Sequence, residues 1–485
     1  MKNFFKITCF LFSVLILSNC SKEYEVPADI VEQDFVWKGL NAYYLHQDQI
    51  ADLADTRFNS DQQLNAYLNS FPDYNSLFTS LLISGDVKST LVEDYNTIIE
   101  PELRTGFTNG LEFGIIAEEN DPDNVLGYVT HILPNSDASN KTIERGQFFH
   151  AVNGVQLTRT NYEDLLLNGD ATFTLAMADF DGTTVTPNTI TVSLEKLNYN
   201  YPATFLEKTI AVNTDNVGYL MYNNDLSINY INDLNNTFLN FKNQSVNELV
   251  LDLRYNISGG SFAKNISQIA SMITGQFPDE VLIKEQWNTK AQAWFQVNQP
   301  DSLITKFPTK LDATTNINSL NLTDVYIILN GENYTGSSAI ELLINSLKPY
   351  INVHVIGNTT AGNNTGSITL YNSEDYDFEF RKMTHTIALQ PIVLSFLNKD
   401  DQTYENGFTS NLRTCTNEDV LDLGLLGETS DPILNSVLNY ISTGTAVSNT
   451  NCNPNNFEYL YNSINAQREI DNGVFINQDL PNTNN

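Results

Sequence analysis

The sequence contains few cysteine, histidine and basic residues, and these shortages exclude several classes of function. Its four Cys and five His are scattered and form no CxxC, HExxH or Cys/His cluster. A zinc site needs such a cluster, so we expect no metal and no cofactor. Lys and Arg number 25 against 58 Asp and Glu, which gives a formal net charge of −33. Because so acidic a surface repels phosphate backbones, we expect no nucleic acid partner.

The apolar content, in contrast, is sufficient for more than one folded core. Of the 485 residues, 41% are hydrophobic, and they include 27 Phe and 23 Tyr. A chain of this length and composition is globular and long enough for two or three domains.

The apolar run at the N-terminus is too short to span a bilayer stably. Two lysines precede the segment ITCFLFSVLIL, which ends just before Cys20. This pattern is typical of an export signal, and its end at a cysteine resembles the signal of a bacterial lipoprotein. We therefore expect removal of residues 1–19, a polar tether over 20–29, and a lipid on Cys20 that holds the protein to the outer membrane of a bacterial cell envelope. Ordinary secretion is the alternative.

Two further cysteines lie near the C-terminus, at Cys415 and Cys452. In an oxidising envelope they can form a disulfide that ties the C-terminal segment to the core. The sequence alone leaves open whether they pair.

The chain divides into four regions of different character. Residues 30–104 show apolar residues at helical spacing and predict a small helical region. Residues 105–196 change to short alternating strands with Gly turns. Over 197–447 strands and helices alternate, which predicts an α/β core. The polar, Asn-rich tail 448–485 is expected to be loosely ordered.

The strand-rich region resembles a PDZ domain of the kind found in bacterial proteases. The segments VTHILPNSDAS and RGQFFHAVNGVQL carry this resemblance, since they stand where the family has a strand with a tight turn and then an Asn-Gly hairpin. It implies a sheet edge that takes up an extended peptide as an extra strand. The expected peptide-binding residues are Gly110, Leu111, Phe113 and Gly114. A β-rich spacer without a ligand is the alternative.

Two segments of the α/β core, 248–262 and 325–343, share one pattern. Each is a β-branched apolar run followed by a Gly- and Ser-rich turn and a helix-like stretch. Parallel strands deliver such turns to one edge of a sheet. The second turn places Ser338 at the start of a helix, and the first supplies glycine amides. A hydroxyl near N–H donors forms half of an acyl-transfer site. The alternative is a capping box, with Ser338 as N-cap and Glu341 as its partner.

Three motifs in order resemble the carboxyl-terminal processing peptidases, also called tail-specific proteases. They are DLRYN with its following glycines, GSSAIE, and GNTTAGN. The segments LQPIVLSFLNKDDQTYENGF and DPILNSVLNYI are typical of members from the Bacteroidetes. The resemblance implies a ClpP/crotonase-like peptidase core that carries a PDZ domain. It makes Ser338 the nucleophile and forms the oxyanion hole from Gly259, Gly260 and Ala339.

The chain departs from the family at the general base. The family lysine falls on Asn363, and the glutamine that supports it falls on Ser367. An amide does not usefully accept the proton of a serine hydroxyl, which is a weak nucleophile without a base. As substitutes we considered His354, Lys382 and His385, each more simply interpreted as a surface or core side chain.

Two functions follow from this reading. The first is an envelope-anchored serine-type peptidase that cleaves peptides or unfolded C-terminal protein segments through Ser338. The second is a catalytically inactive pseudopeptidase of the same architecture that only binds peptides, which Asn363 favours.

Overall fold

The structure is a computed structural model. It describes residues 26–98, 104–118, 120–224, 226, 230–257, 261–329, 336–357, 359–412, 418–446, 457–467 and 474–476. The predictions made for Cys20, Gly259, Gly260, Cys415 and Cys452 lie outside these residues.

Helices occur along the whole described chain. They are α1 (Val31–Tyr43), α2 (Asp61–Leu68), α3 (Tyr74–Ser80), α4 (Ile231–Asn243), α5 (Ala263–Ile273), α6 (Thr289–Asn298), α7 (Ser338–Leu347), α8 (Pro432–Thr443) and α9 (Ser463–Gln467).

The strands fall into two groups along the chain. Those before residue 201 are β1 (Thr90–Val92), β2 (Thr105–Thr108), β3 (Leu111–Ala117), β4 (Val125–Ile132), β5 (Phe148–Val152), β6 (Val155–Gln156), β7 (Thr172–Phe180), β8 (Val185–Glu195) and β9 (Leu197–Asn200). Those after it are β10 (Leu206–Val212), β11 (Asp215–Met221), β12 (Glu248–Asp252), β13 (Val281–Trp287), β14 (Ile304–Lys306), β15 (Asp324–Ile328), β16 (Asn352–Ile356), β17 (Thr365–Ser367), β18 (Ala388–Gln390), β19 (Ile392–Asn398), β20 (Tyr459–Asn462) and β21 (Val474–Phe475).

One sheet carries the strands that lead to the predicted site. Its order is β10-β11-β12-β15-β16, with β10 antiparallel to β11 and the other pairs parallel. Apolar residues of β12 and β15 alternate between two cores. Leu251 and Ile327 pack with α4, α5 and α7, whereas Val250 and Tyr326 pack with α8. Burial on both faces explains why these strands are almost continuously apolar.

A second sheet, β14-β13-β19-β17-β21, brings later parts of the chain to the same core. Its apolar residues, among them Ile283, Leu394 and Phe396, belong to the cluster that buries α5 and α7. The sheet includes β17, which ends at the predicted site residue Ser367. The expectation of a mixed α/β fold is confirmed.

The N-terminal helices belong to this same core. Leu40 and Tyr43 of α1 and Leu77 of α3 are fully buried in the cluster that also contains the apolar face of α7. After α3 the chain turns into β1, which pairs antiparallel with β18. The N-terminal region is therefore joined to the core through this strand pair as well as through its helices.

The strand-rich region forms a separate sheet, β20-β3-β4-β5-β7-β8, with β6 paired to β5. It has its own apolar cluster, which includes Ile115, Phe149 and Leu175. One of its strands, β20, comes from the C-terminal tail. The expectation of a loosely ordered tail is therefore wrong for 457–467, because this segment pairs with β3 and its Leu460 and Tyr461 pack against the same cluster.

Candidate active site

Ser338 is the first residue of α7, and Ser337, not Ser338, is its N-cap. The Ser337 side chain accepts a hydrogen bond of 3.5 Å from the Ile340 N–H. Gly336 precedes it at a φ of +84°, a conformation that suits glycine. The predicted cap is thus displaced by one residue, and the helix hydrogen bonds to Ser337 instead.

The position of Ser338 suits an acyl-transfer nucleophile. Its side chain is buried, with 1% exposed, and it lies in the first turn, where backbone N–H groups lack helical partners. Ala339, whose N–H is the predicted oxyanion donor, follows it in that turn and is also buried. The helix dipole favours negative charge there.

The two strands that precede the predicted turns are neighbours. β12 and β15 pair in parallel, and beyond them the Leu253 N–H donates to the Ile328 carbonyl at 2.9 Å. Both turns therefore begin at the same edge of the sheet, as the sequence predicts. Residues 258–260 themselves are outside the described part of the chain.

Glu341 connects α7 to the loop that contains Asn363. Its carboxylate is fully buried and accepts hydrogen bonds of 2.6 Å from the backbone N–H groups of Gly362 and Asn363. Since Glu341 lies three residues after Ser338, both side chains are on the same face of α7. The capping-box interpretation of Glu341 is thus replaced by a bridge that places Asn363 beside this face.

The side chain of Asn363 is held by two donors. Thr365 Oγ1 donates to its Oδ1 at 3.0 Å, and Lys88 Nζ donates to the same oxygen. Asn363 and Ser367 are both buried, at 6% and 0% exposed. The amine of Lys88 therefore lies at the end of the residue that replaces the family lysine.

Sequence reasoning missed Lys88, because it is separated from Asn363 by 275 positions and belongs to no motif. The carboxylate of Asp86 fixes its turn by accepting the N–H groups of Lys88 at 2.9 Å and Ser89 at 3.0 Å. Asp86 also accepts the hydroxyl of Tyr44 at 2.8 Å. Burial opposes ionisation, but these hydrogen bonds, with those from Ser89 foremost, hold the pKa of Asp86 below its usual range.

The three substitutes considered from the sequence have other surroundings. His354 stacks on Tyr326 with ring centroids 4.6 Å apart, on the side of the sheet that packs against α8, and its Nε2 is 3.1 Å from Asp324. His385 packs against Phe35 of α1 at 5.2 Å, and Lys382 is exposed. None of these surroundings includes Ser338.

A buried ion network lies beyond the carboxyl end of β12. Arg254 pairs with Asp252 at 2.7 Å, with Asp431 at 2.8 Å and with Glu418 at 2.9 Å. Arg145, from the strand-rich region, pairs with the same Glu418 at 2.5 Å. Burial opposes the charge of Glu418, but the arginines, Arg145 foremost, lower its pKa to about 2. The network therefore fixes the strand-rich region against the core.

The predicted peptide-binding edge is covered by the chain itself. β20 pairs antiparallel with β3, with Asn462 opposite Gly114. Ser463 Oγ accepts the Phe113 N–H at 2.9 Å and donates to the Glu112 carboxylate at 2.5 Å. Gly110 and Leu111 precede this pairing at the start of β3, and a Cβ on Gly110 would lie 2.1 Å from the Ser136 side chain.

The described residues offer neither a metal-binding cluster nor a membrane span. Within them, no three His, Cys, Asp or Glu side chains are grouped to hold a metal ion. Nor does any helix in that part of the chain combine the length and apolar character needed to cross a membrane.

Comparison with known proteins finds similarity to peptidases. Residues 216–378 match the sequence model of peptidase family S41. A structure from Bacteroides fragilis assigned to the S41 proteases is similar with a TM-score of 0.63 at 21% identity, over 84% of this chain and 97% of that chain. The photosystem II D1 C-terminal processing protease is similar with a TM-score of 0.44 at 15% identity, over 87% of this chain and 99% of that chain.

A comparison with curated proteins gave no significant match. The matched segment contains Ser338, Glu341 and Asn363, the residues that the geometry brings together. Residues 216–378 are thus similar to peptidase family S41, and the fold resembles that of a structure assigned to the S41 proteases.

Proposed function

We propose that this chain is a serine-type peptidase that cleaves unstructured protein segments, with Ser338 as nucleophile. The observation that carries the proposal is the buried hydroxyl of Ser338 in the first turn of α7, inside the segment that matches peptidase family S41. Such a hydroxyl lies beside N–H donors that stabilise a developing oxyanion. Ala339 would supply one donor, and Gly259 or Gly260 the other.

The finer parts of the proposal rest on the sequence resemblance. The core would be of the ClpP/crotonase type and would carry residues 105–196 as a PDZ-like domain, whose β3 edge is paired with β20 in this structure. The lipid on Cys20 would hold the enzyme at the cell envelope. The separate sheet and apolar cluster of the strand-rich region support its role as a distinct module.

Labelling with a fluorophosphonate probe tests the nucleophile. We expect the full-length protein to be labelled and to cleave an unfolded, fluorophore-quenched polypeptide, and Ser338→Ala to abolish both. Ser337→Ala is the matched control, since it alters the N-cap of the same helix but not the proposed nucleophile. Labelling that persists in Ser338→Ala would contradict the proposal.

The second candidate is an inactive peptide-binding protein of the same architecture. It is favoured by one observation, the asparagine at 363 where the family has its base. It predicts that the wild-type protein is not labelled and does not cleave, yet binds unfolded polypeptides. Labelling and cleavage of the wild type would exclude it.

A further inference from the structure

Asn363 cannot act as a base, but the amine of another residue, Lys88, contacts its side chain. We propose that Lys88 is the general base for Ser338, supplied from the N-terminal region in place of the lysine that the family carries at 363. This inference rests on the proposed peptidase function. It starts from the hydrogen bond that Lys88 Nζ donates to Asn363 Oδ1.

A continuous set of contacts relates Lys88 to the nucleophile. Ser338 and Glu341 share one face of α7, and Glu341 holds the backbone of Asn363 at 2.6 Å. The Asn363 side chain in turn accepts the amine of Lys88. A lysine side chain is longer than an asparagine side chain. The amine of Lys88, which contacts the end of the Asn363 side chain, therefore lies about as far from the backbone of residue 363 as the amine of a lysine there would lie.

The backbone of Lys88 is fixed on both sides, as a catalytic group requires. Asp86 holds the turn before it, and the Ser89 hydroxyl after it accepts the Ile392 N–H at 3.1 Å. β1 then pairs with β18, with Thr90 opposite Gln390. The side chain of Lys88 is half-buried, whereas Val87 beside it is 75% exposed, so the turn directs the amine inward.

The chemistry requires nothing that the chain does not contain. The neutral amine of Lys88 takes the proton of Ser338 Oγ as the oxygen bonds to the carbonyl carbon of the scissile peptide. The resulting ammonium gives that proton to the leaving nitrogen as the C–N bond breaks, which leaves an ester on Ser338. Water then attacks the ester, Lys88 takes a proton from the water, and it returns that proton to Ser338 Oγ as the ester bond breaks.

Asn363 has a different part in this arrangement. Its amide accepts the Lys88 and Thr365 donors, and it takes no proton, so we assign it as the positioning residue for the amine. The family and this chain would thus place an amine in the same space from different parts of the chain. In the family the lysine lies on the loop itself, whereas in this chain Lys88 reaches the loop from the N-terminal turn.

The test compares fluorophosphonate labelling rates and polypeptide cleavage among full-length variants. Lys88→Met removes the amine, and we expect both rates to fall about 10²–10⁴-fold. Lys88→Arg keeps the positive charge but carries a guanidinium that is not deprotonated, so we expect a similar loss with the fold retained. Lys38→Met is the matched control, because Lys38 is another N-terminal lysine whose amine pairs with Asp34. It should retain the wild-type rates.

A relocation variant distinguishes a base from a structural contact. In Lys88→Met with Asn363→Lys, the amine returns to the family position, and we expect at least tenfold recovery over Lys88→Met alone. Wild-type rates in Lys88→Met would overturn the inference and leave the peptidase proposal standing. Loss in Lys88→Met with lowered thermal stability and no recovery on relocation would also overturn it. A wild type that is neither labelled nor active would instead overturn the peptidase function, and the role of Lys88 with it.

Discussion

The carboxylate of Glu341 accepts the backbone N–H of Asn363 at 2.6 Å, and through this contact the nucleophile helix fixes the loop opposite it. We expect Glu341→Gln to lower the free energy of unfolding by about 2 kcal/mol, because an amide accepts at one end only and its NH₂ would face a buried donor. Peptidase activity should fall with it. Chemical denaturation measures the loss, and Glu280→Gln on the surface serves as the control. An unchanged stability would show that the bridge contributes nothing.

The same loop also requires a glycine at position 362. Its φ is +81°, and an added Cβ would lie 2.1 Å from the carbonyl oxygen of Glu405. Gly154 has a similar φ of +77° with nothing within 4 Å of an added Cβ. We therefore expect Gly154→Ala to cost about 1 kcal/mol from backbone strain alone, and Gly362→Ala to cost about 3 kcal/mol through strain plus overpacking. Equal losses in the two unfolding curves would show that the loop moves to accept the methyl group.

The pairing of β20 with β3 depends on Ser463. Removing its hydroxyl leaves the Phe113 N–H without this acceptor and the Glu112 carboxylate without this donor. We expect Ser463→Ala to destabilise the pairing by about 1–3 kcal/mol and to speed hydrogen exchange along β3. Ser436→Ala is the control, since that hydroxyl donates to the Ile433 carbonyl of its own helix. If exchange along β3 were unchanged, the tail would be held by other contacts.

The ion network around Glu418 predicts a loss of stability in acid. Its pKa is lowered from 4.5 to about 2 in the folded protein, so its stabilising contribution is present above pH 4.5 and is lost as the pH falls toward 2. We expect Glu418→Gln to cost about 3 kcal/mol at pH 7, because it removes a partner of two buried arginines. The cost should shrink steadily below pH 4.5.

The measurement is the difference between the wild-type and variant unfolding free energies at each pH. This difference includes the coupling of Glu418 to Asp431, whose pKa burial raises and which therefore contributes with the opposite sign. Glu428→Gln is the control, since its pair with Lys208 is exposed and should contribute at most about 1 kcal/mol. A cost that stays constant from pH 7 to pH 3 would contradict the prediction.

Local sequence patterns predicted the α/β core but not every contact at the site. The apolar runs of β12 and β15 and the amphipathic α7 were evident, because burial on both faces imposes them. The N-cap was displaced by one residue, since Ser337 and Ser338 are chemically equivalent as caps. Local pattern could not place Lys88, because its contact with Asn363 joins positions that are 275 residues apart.

The C-terminal strands escaped prediction for a related reason. β20 and β21 are short, and they are ordered by pairing with distant strands and by packing of side chains such as Leu460 and Val474. A polar composition therefore indicated disorder where pairing supplies structure. Sequence alone cannot reveal such pairing when the partner strands are more than a hundred residues away.

The pairing of β21 with β17 has a consequence for biosynthesis. Phe475 lies opposite Ser367, and its N–H donates to the Ser261 carbonyl at 2.8 Å. Until Phe475 has been synthesised and has left the ribosome, β17 of the growing chain lacks β21 as its partner. Nascent copies would thus carry the serine hydroxyl before its surroundings are finished, so the site matures only after Phe475 has been synthesised.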